Sequence, residues 1–340
     1  MKCCANCFGD QGLQNEISFI SSENGTCGYC YFENVALVAP EELLLKFEPL
    51  LDTYDFDATG SPLAYWLKKD WFLFLHPKMD DARSQMLLGD IFNDGEIVRK
   101  LLVPSDKYDP DRLGNWDDFR QELIHQNRFF PQSQVNLDEL ARLLPLLAIN
   151  TADMPAAWYR ARMQSEDTIF DADNMQAPPP HIASHGRANP AGIPYLYLGS
   201  EVVTSISEIR PHTGEIACVA NFSIQDDLEL IDLRHPRKTV SPFSGGGAEN
   251  VGQMRFDLEF LERLGNELTR PVSRQATAFD YTPSQYLCEF IKKCGYDGVI
   301  FRSSVSDGIN LALFYPEKAT IGDIYQRRVD KVSVDVSAVT

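Results

Sequence analysis

The chain has 340 residues, of which 44% are hydrophobic and 24% are charged, so it can bury a sizeable core and is not an intrinsically disordered protein. Its 49 acidic residues outnumber the 31 basic ones and give a formal net charge of -18, which argues against nucleic acid as a partner. No stretch approaches the roughly 18 apolar residues of a transmembrane helix, and the first residues lack the apolar core of a signal peptide. We therefore expect a cytoplasmic protein that does not bind membranes.

Five of the eight cysteines lie within the first thirty residues. Two Cys-x-x-Cys pairs with nineteen residues between them are formed by Cys4, Cys7, Cys27 and Cys30. This spacing is typical of four thiolates around a structural zinc ion, and it predicts a zinc ribbon over residues 1–36. Four thiolates leave no coordination position for water, so the ion would stabilise the fold and not catalyse. Cys3 is an alternative to Cys4 as a ligand, and free or redox-active thiols are the alternative to zinc.

The next part of the chain, residues 37–150, is predicted to be an α-helical domain. Segments such as PEELLLKFEPLLDTY, SPLAYWLKKDWFLFL and NWDDFRQELIHQNRFF carry apolar residues at intervals of three and four, the period of an amphipathic helix. Pro40 and the acidic residues that follow it are typical of the first turn of a helix.

A short pattern in this helical part, Arg120-x-x-x-x-His125, resembles the Arg-x4-6-His signature of HEPN ribonucleases, in which the pair contacts the scissile phosphate. Two residues five apart on a helix point about 140° away from each other, and so short a pattern is common. We therefore interpret the pair as polar residues on a solvated helix. A HEPN-type ribonuclease, or a non-catalytic regulatory module, is kept as an alternative function.

From residue 151 to 325 short strands alternate with turns and helices, which predicts the α+β class. The predicted strands are AAWYRARM, YLYLG, GEIACVANFSI, LELIDL, YDGVIFRSS and GINLALFY. A helix over YTPSQYLCEFIKKCG has Thr282 as its expected N-cap, Gln285 completing a capping box and Gly295 as its terminator. Residues 326–340 are ambiguous between an edge strand and a tail, and we assign them to a C-terminal tail.

Within this part, SHGRANPAGIPYLYLGSEVVTSISEIRP holds Arg187 in a Gly/Pro loop, Tyr197 near the end of a strand and Glu208 on the helix that follows. On a helical wheel the apolar arc is formed by Val202, Val203, Ile206 and Ile209. Glu208 falls about 140° from the middle of that arc, so it is predicted to face solvent or a cleft.

Several separated motifs between about 155 and 318 resemble the RES-domain family: WYRAR, then GRANP, YLYL and SEI, and finally YTPSQYLCEFIKKCGYDGVIFRSS and GINLALF. This family is the toxin half of RES-Xre toxin–antitoxin pairs. The resemblance implies a fold similar to ADP-ribosyltransferases and a toxin-like enzyme that breaks down NAD, as an NAD glycohydrolase or an NAD phosphorylase. It also implies an Xre-type antitoxin as a protein partner, and the first 150 residues resemble the HEPN/RES N-terminal region of larger members.

Carried over residue by residue, the resemblance places the family's arginine, tyrosine and glutamate on Arg187, Tyr197 and Glu208. The family's serine falls on Ser303, with Ser304 as the neighbouring choice, and a second arginine falls on Arg160. In this reading the carboxylate stabilises charge on the ribose, the two guanidinium groups bind the pyrophosphate, and the tyrosine and serine contact nicotinamide, ribose or phosphate.

One position departs from the family pattern. An aromatic residue usually follows the loop arginine, whereas Ala188 stands there in this chain, so a wall of the pocket is predicted to be missing or to come from elsewhere. The sequence leaves open whether water, phosphate or a protein accepts the ADP-ribosyl group, so protein mono-ADP-ribosyl transfer is a further alternative.

Overall fold

The computed structural model of the chain describes residues 1–164, 169–244, 247–271 and 277–333. The chain divides into two compact units, one formed by Met1–Leu113 with His235–Leu261 and the other by Gly114–Arg234 with Glu262–Thr340. This division groups residues 114–150 with the second unit. The domain boundaries at 36, 150 and 325 stay predictions.

The helices named in the sequence analysis are present, and further helices lie between them. In chain order they are α1 (Gln11–Ile20), α2 (Leu44–Leu51), α3 (Leu63–Trp71), α4 (Asp81–Phe92), α5 (Trp116–His125), α6 (Leu137–Leu143), α7 (Ala172–Met175), α8 (Val202–Glu208), α9 (Pro236–Thr239), α10 (Ala248–Thr269), α11 (Thr277–Asp280) and α12 (Thr282–Lys293). Side chains cap several of them, as where the Asp10 carboxylate accepts a hydrogen bond from the backbone N–H of Leu13 at 2.7 Å. None of the helices in the described ranges has the length and apolar character that crossing a membrane requires.

The strands form three sheets. In chain order they are β1 (Cys3–Cys4), β2 (Glu23–Gly25), β3 (Val35–Val38), β4 (Tyr54–Pro62), β5 (Leu101–Pro104), β6 (Ala148–Ile149), β7 (Trp158–Met163), β8 (Leu196–Gly199), β9 (Ile216–Ile224), β10 (Leu230–Asp232), β11 (Gly298–Arg302), β12 (Ile309–Leu313) and β13 (Ala319–Arg328). The sheet orders are β1-β3-β2, β4-β5 and β13-β9-β7-β8-β12-β11-β10-β6.

The first unit is not purely helical, which corrects the expectation for residues 37–150. The antiparallel pair β4 and β5 lies among the helices, in register from Tyr54 opposite Pro104. The segment YDFDATG alternates apolar or aromatic residues with acidic and small polar ones, which is a strand period that the longer helical patterns on either side obscured.

The segment from His235 to Leu261 is held in the first unit by the buried Asp70 of α3. The carboxylate of Asp70 accepts a hydrogen bond from Arg255 Nε at 2.5 Å and another from the Tyr54 hydroxyl at 3.0 Å. The main-chain carbonyl of Asp70 accepts a hydrogen bond from Arg237 Nη1 at 2.9 Å. A buried ion pair of this kind must keep both partners, because either charge alone would be left in a low-dielectric interior.

The second unit is built on the eight-stranded mixed sheet. β10 and β11 run parallel, whereas the other neighbouring strands run antiparallel. Its core contains the fully buried Trp158 together with alternate apolar residues of the central strands, such as Leu196, Phe222 and Leu311. A mixed sheet with helices agrees with the predicted α+β class, and the closer likeness to ADP-ribosyltransferases stays a prediction.

The C-terminal segment extends this sheet. β13 pairs with β9 as far as Arg328, so the first residues of the predicted tail, 326–328, belong to an edge strand. The register shifts between Ile321 and Ile324, which marks a bulge of the kind often found in edge strands. Residues 334–340 lie outside the described part of the chain.

Candidate functional site

A cavity of about 340 Å³ opens in the second unit, beside the middle of the large sheet. Arg160 of β7, Arg187 of the Gly/Pro loop, Tyr197 of β8 and Glu208 of α8 all line it. The structure therefore brings together four residues that are separated by up to 48 positions in the sequence. Ser303 follows β11 and contacts Glu208.

The carboxylate of Glu208 is held through one oxygen. Glu208 Oε1 accepts hydrogen bonds from Ser303 Oγ at 2.7 Å and from Asn310 Nδ2 at 2.6 Å. Within the described residues Oε2 has no hydrogen-bond partner. The two donors fix the plane of the carboxylate and leave its second oxygen free to act on a bound molecule.

Small polar residues, and not the apolar arc, attach α8 to the sheet. Thr204 and Ser205 are buried, whereas Val203 is 66% exposed, so the predicted arc that included Val203 is wrong. A Cβ atom at Gly199 of β8 would lie 2.9 Å from the backbone nitrogen of Ser205, so the helix packs directly on the strand. This close approach brings the end of the helix, and with it Glu208, to the cavity.

The guanidinium of Arg187 is surrounded by main-chain acceptors. Nη1 donates to the carbonyl oxygens of Leu268 at 3.2 Å and Arg270 at 2.7 Å, and Nη2 donates to Ser304 Oγ at 3.2 Å. The Tyr281 ring lies 5.5 Å from the guanidinium carbon. Because carbonyl groups carry no net charge, the cation keeps its full charge toward the cavity.

The Tyr197 hydroxyl organises the Gly/Pro loop. It donates to Asn189 Oδ1 at 2.8 Å and accepts from the backbone N–H of Ala188 at 2.8 Å. Burial raises the pKa of this hydroxyl, so it remains protonated at neutral pH. At Gly186 a Cβ atom would lie 2.4 Å from the same oxygen, and only glycine fits there.

The first turn of α12 holds the same loop, which corrects the predicted cap of this helix. Thr282 is the first helical residue, and no side chain caps the helix at Tyr281. Ser284 Oγ donates to the carbonyl oxygen of Arg187 at 2.6 Å, and Gln285 Nε2 donates to that of Gly186 at 2.8 Å. Gln285, predicted to complete a capping box, thus positions the loop together with Ser284, whereas the predicted terminator, Gly295, has the expected positive φ of 100°.

Arg160 contributes a second cation to the cavity. Its Nη1 donates to the carbonyl oxygen of Tyr197 at 3.3 Å, and its buried Nε has no hydrogen-bond partner in the described part of the chain. Burial, with a smaller contribution from the neighbouring Arg162, lowers the pKa of Arg160 to about 10, and the group stays charged at neutral pH. A buried cation with an unpaired donor is suited to an anionic ligand.

Some cavity residues were missed at the sequence level. Asn310 lies within the motif GINLALF, but an asparagine in an apolar strand did not stand out as a partner of a distant glutamate. Tyr281 supplies the aromatic ring next to Arg187, while Ala188 is fully buried. The aromatic residue expected in place of Ala188 is therefore matched by one that lies 93 residues later in the chain.

The HEPN-like pair does not form a common site. Arg120 Nε donates to Glu267 Oε1 at 2.7 Å, and its side chain is 18% exposed. His125, at the end of α5, is exposed, and its ring is 6.4 Å from that of Phe279. The two residues therefore have different surroundings, as expected for residues five apart on a helix.

A second candidate site lies in the first unit. The ligand atoms of Cys4, Cys7, Cys27 and Cys30 all lie within 4.8 Å of one another, and all four residues are buried. The Sγ atoms of Cys4 and Cys30 are 3.4 Å apart, as are those of Cys7 and Cys27. Sulfurs around a tetrahedral zinc ion are about 3.8 Å apart for Zn–S bonds of about 2.3 Å, so this cluster can hold a metal ion. Cys4, and not Cys3, belongs to it.

Comparisons with known proteins identify a family match and a similar solved structure. Residues 157–334 match the RES domain family. Among solved structures, the crystal structure of the M. tuberculosis MbcT-MbcA toxin-antitoxin complex is similar at 12% sequence identity, with a TM-score of 0.35. That alignment covers 56% of this chain and 94% of the other. No curated protein matches the chain.

Proposed function

Because its match to the RES domain family spans more than half of its residues, the chain belongs to this family, and from that premise we propose that it cleaves the nicotinamide–ribose bond of NAD. The observation that carries the proposal is the convergence of two cations, Arg160 and Arg187, with one carboxylate, Glu208, on a single cavity. NAD offers matching charges: a dianionic pyrophosphate and a ribose that becomes positively charged as nicotinamide leaves.

The proposed reaction requires the protein chiefly to stabilise the charge that develops on the ribose and to position the acceptor. As the C–N bond breaks, both bonding electrons go to the nicotinamide ring, which departs neutral, and the ribose becomes oxocarbenium-like. Oε2 of Glu208 stabilises that charge and orients the acceptor, water or phosphate, which then bonds to the ribose carbon and releases a proton to the solvent. Ser303 and Asn310 hold the carboxylate in place through Oε1.

The arginines would bind the other half of the substrate. Arg160 has an unpaired buried Nε, and Arg187 is held by neutral carbonyl groups. The positive charge of each is therefore available to a phosphate oxygen. Tyr197 is proposed to act indirectly, because its hydroxyl is already engaged with Ala188 and Asn189 of the loop. Its ring forms part of the cavity wall.

The direct test is to incubate the purified chain with NAD and to measure nicotinamide by chromatography, with and without inorganic phosphate. We expect nicotinamide release in at least one condition. ADP-ribose as the second product would identify a glycohydrolase, and ADP-ribose 1-phosphate would identify a phosphorylase. Label from adenine-labelled NAD that stays on protein would favour mono-ADP-ribosyl transfer. No release in either condition would contradict the proposal.

Removing the Tyr197 hydroxyl provides a test of the loop. We expect Tyr197→Phe to raise the KM for NAD by about tenfold, because the buried N–H of Ala188 and the amide of Asn189 lose a shared partner. Steady-state kinetics measure the effect. Tyr195→Phe is the matched control, since the Tyr195 hydroxyl is buried without a partner in the described residues. An unchanged KM in Tyr197→Phe would show that the hydroxyl does not position the loop.

We further propose that the four-cysteine cluster binds a structural zinc ion. The donor set of four thiols and the sulfur spacing support this choice. An Xre-type antitoxin, and a toxin-like role in the cell, are proposed on the family relationship alone.

A further inference from the structure

A closed ring of ion pairs lies in the second unit, outside the cavity. It alternates two arginines with two carboxylates and consists of Arg120, Glu267, Arg270 and Asp280. Three helices meet in it, because Arg120 belongs to α5, Glu267 to α10 and Asp280 to α11. The proposed reaction uses none of these four residues directly.

The distances show that each member of the ring contacts both of its neighbours. Glu267 accepts hydrogen bonds from Arg120 Nε at 2.7 Å and from Arg270 Nε at 2.9 Å. Asp280 Oδ1 lies 3.7 Å from Arg120 Nη2 and 3.5 Å from Arg270 Nη2. Arg270 Nη2 also donates to the carbonyl oxygen of Asp280 at 2.8 Å.

We expect the ring to be stronger than an ordinary surface ion pair. Side-chain exposure is 8% for Glu267 and 18% for Arg120, so water screens their interaction only in part. Positive and negative charges are equal in number, and several charges in a network lose less side-chain entropy per contact than isolated pairs do. We therefore expect the ring to fix the backbone at both ends of the segment from Glu267 to Asp280.

Three of the groups around the Arg187 guanidinium, two main-chain acceptors and one aromatic side chain, lie in or next to members of the ring. The acceptors of Nη1 are the carbonyl oxygens of Leu268, adjacent to Glu267, and of Arg270 itself. Tyr281, whose ring lies beside the guanidinium, is adjacent to Asp280. A shift of the four ion-paired residues would therefore move both carbonyl acceptors and the Tyr281 side chain together.

From this arrangement we propose that Arg120 is a positioning residue for Arg187. It acts through Glu267 and Asp280 and fixes the direction in which the Arg187 guanidinium faces the cavity. The inference rests on the proposed function in one respect, because it assigns the ring an effect on substrate binding. It also gives a role to the arginine of the HEPN-like pattern that requires neither His125 nor RNA.

The experiment is to replace Arg120 with glutamine and to measure KM and kcat for NAD. We expect KM to rise by about tenfold with kcat changed less than about twofold, since a misdirected guanidinium weakens binding in the ground state and transition state alike. In an Arg187→Ala background, Arg120→Gln should cause no further rise in KM. Full additivity of the two changes, or an unchanged KM in the single variant, would overturn the proposal.

Two controls separate positioning from a general loss of stability. His125→Ala removes the other residue of the same pattern and should leave both constants unchanged. Lys318→Met breaks the Lys318–Asp297 ion pair, 2.6 Å long and in the same unit, and should lower thermal stability without raising KM. If Lys318→Met raises KM as much as Arg120→Gln does, the effect is one of stability and the proposal fails.

A structural measurement keeps this inference separate from the proposed reaction. In a crystal structure of Arg120→Gln we expect Arg187 to lose its hydrogen bonds to Leu268 and Arg270. If both bonds persist, the positioning role is wrong, whatever the protein does with NAD. If instead wild-type protein releases no nicotinamide while the guanidinium moves in the variant, the proposed function fails and the positioning role stands.

Discussion

Replacing Glu208 with glutamine is expected to lower kcat for nicotinamide release by at least about 100-fold while the protein keeps its fold. The change preserves the shape of the side chain and removes the negative charge that would stabilise the ribose. The amide oxygen of glutamine can still accept from Ser303 and Asn310, so the local hydrogen bonds need not be lost. Since Glu208 is only partly buried, its replacement neither opens a cavity nor buries an unpaired charge.

The matched control is Glu201→Gln. Glu201 is exposed at the start of the same helix, and its side chain does not cap that helix. The control should keep wild-type kcat, and circular dichroism and thermal unfolding should be unchanged in both variants. Half or more of the wild-type activity in Glu208→Gln would remove the glutamate from the proposed mechanism. A loss of activity in both variants would show that activity depends on the structure of the helix and not on the Glu208 carboxylate.

Replacing Cys27 with serine is expected to abolish zinc binding and to unfold the N-terminal part of the first unit. The binding free energy of a structural zinc ion contributes directly to folding, about 10 to 16 kcal/mol in small zinc domains at pH 7. Loss of one thiolate leaves three buried cysteines around an incomplete site. Metal analysis should find about one zinc per wild-type chain and almost none in the variant, with a lower thermal midpoint.

Cys3→Ser is the control that resolves the choice between neighbouring cysteines. Cys3 is as buried as the four clustered residues, but it lies outside the cluster, on β1 opposite Val38. We expect this variant to retain its zinc. If Cys3→Ser loses the metal and Cys4→Ser keeps it, the ligand set is wrong by one residue. Wild-type protein without zinc after purification in zinc-supplemented medium would contradict the metal site altogether.

The parts of the fold that local patterns determine could be predicted from the sequence. The Cys-x-x-Cys spacing predicted a cluster of four cysteines, and the structure places Cys4, Cys7, Cys27 and Cys30 together, whereas the choice between Cys3 and Cys4 was open in the sequence. The strands around Trp158 and Leu311 lie where alternation and apolar runs predicted them. These features depend on neighbours within a few residues, and a single sequence contains that information.

The parts that depend on distant partners could not be predicted in the same way. Glu208 was correctly separated from the apolar residues of its helix, but Val203 is exposed because Thr204 and Ser205 pack against the sheet. Gln285 fits a capping box by spacing, yet it binds a loop about a hundred residues earlier. Asn310 has no local signal, since its importance comes from the single hydrogen bond to Glu208. In each case the decisive contact is with a residue distant in the sequence, which a local pattern does not encode.

The interrupted first unit has a consequence for synthesis. The first segment of this unit ends at Leu113. Arg255, which pairs with Asp70, is synthesised more than a hundred residues later. At about 5 to 20 residues per second, roughly 7 to 30 seconds pass before the unit can be completed. During that interval Asp70 lacks its guanidinium partner, and a nascent chain halted before Arg255 would expose an unfinished core to chaperones and proteases.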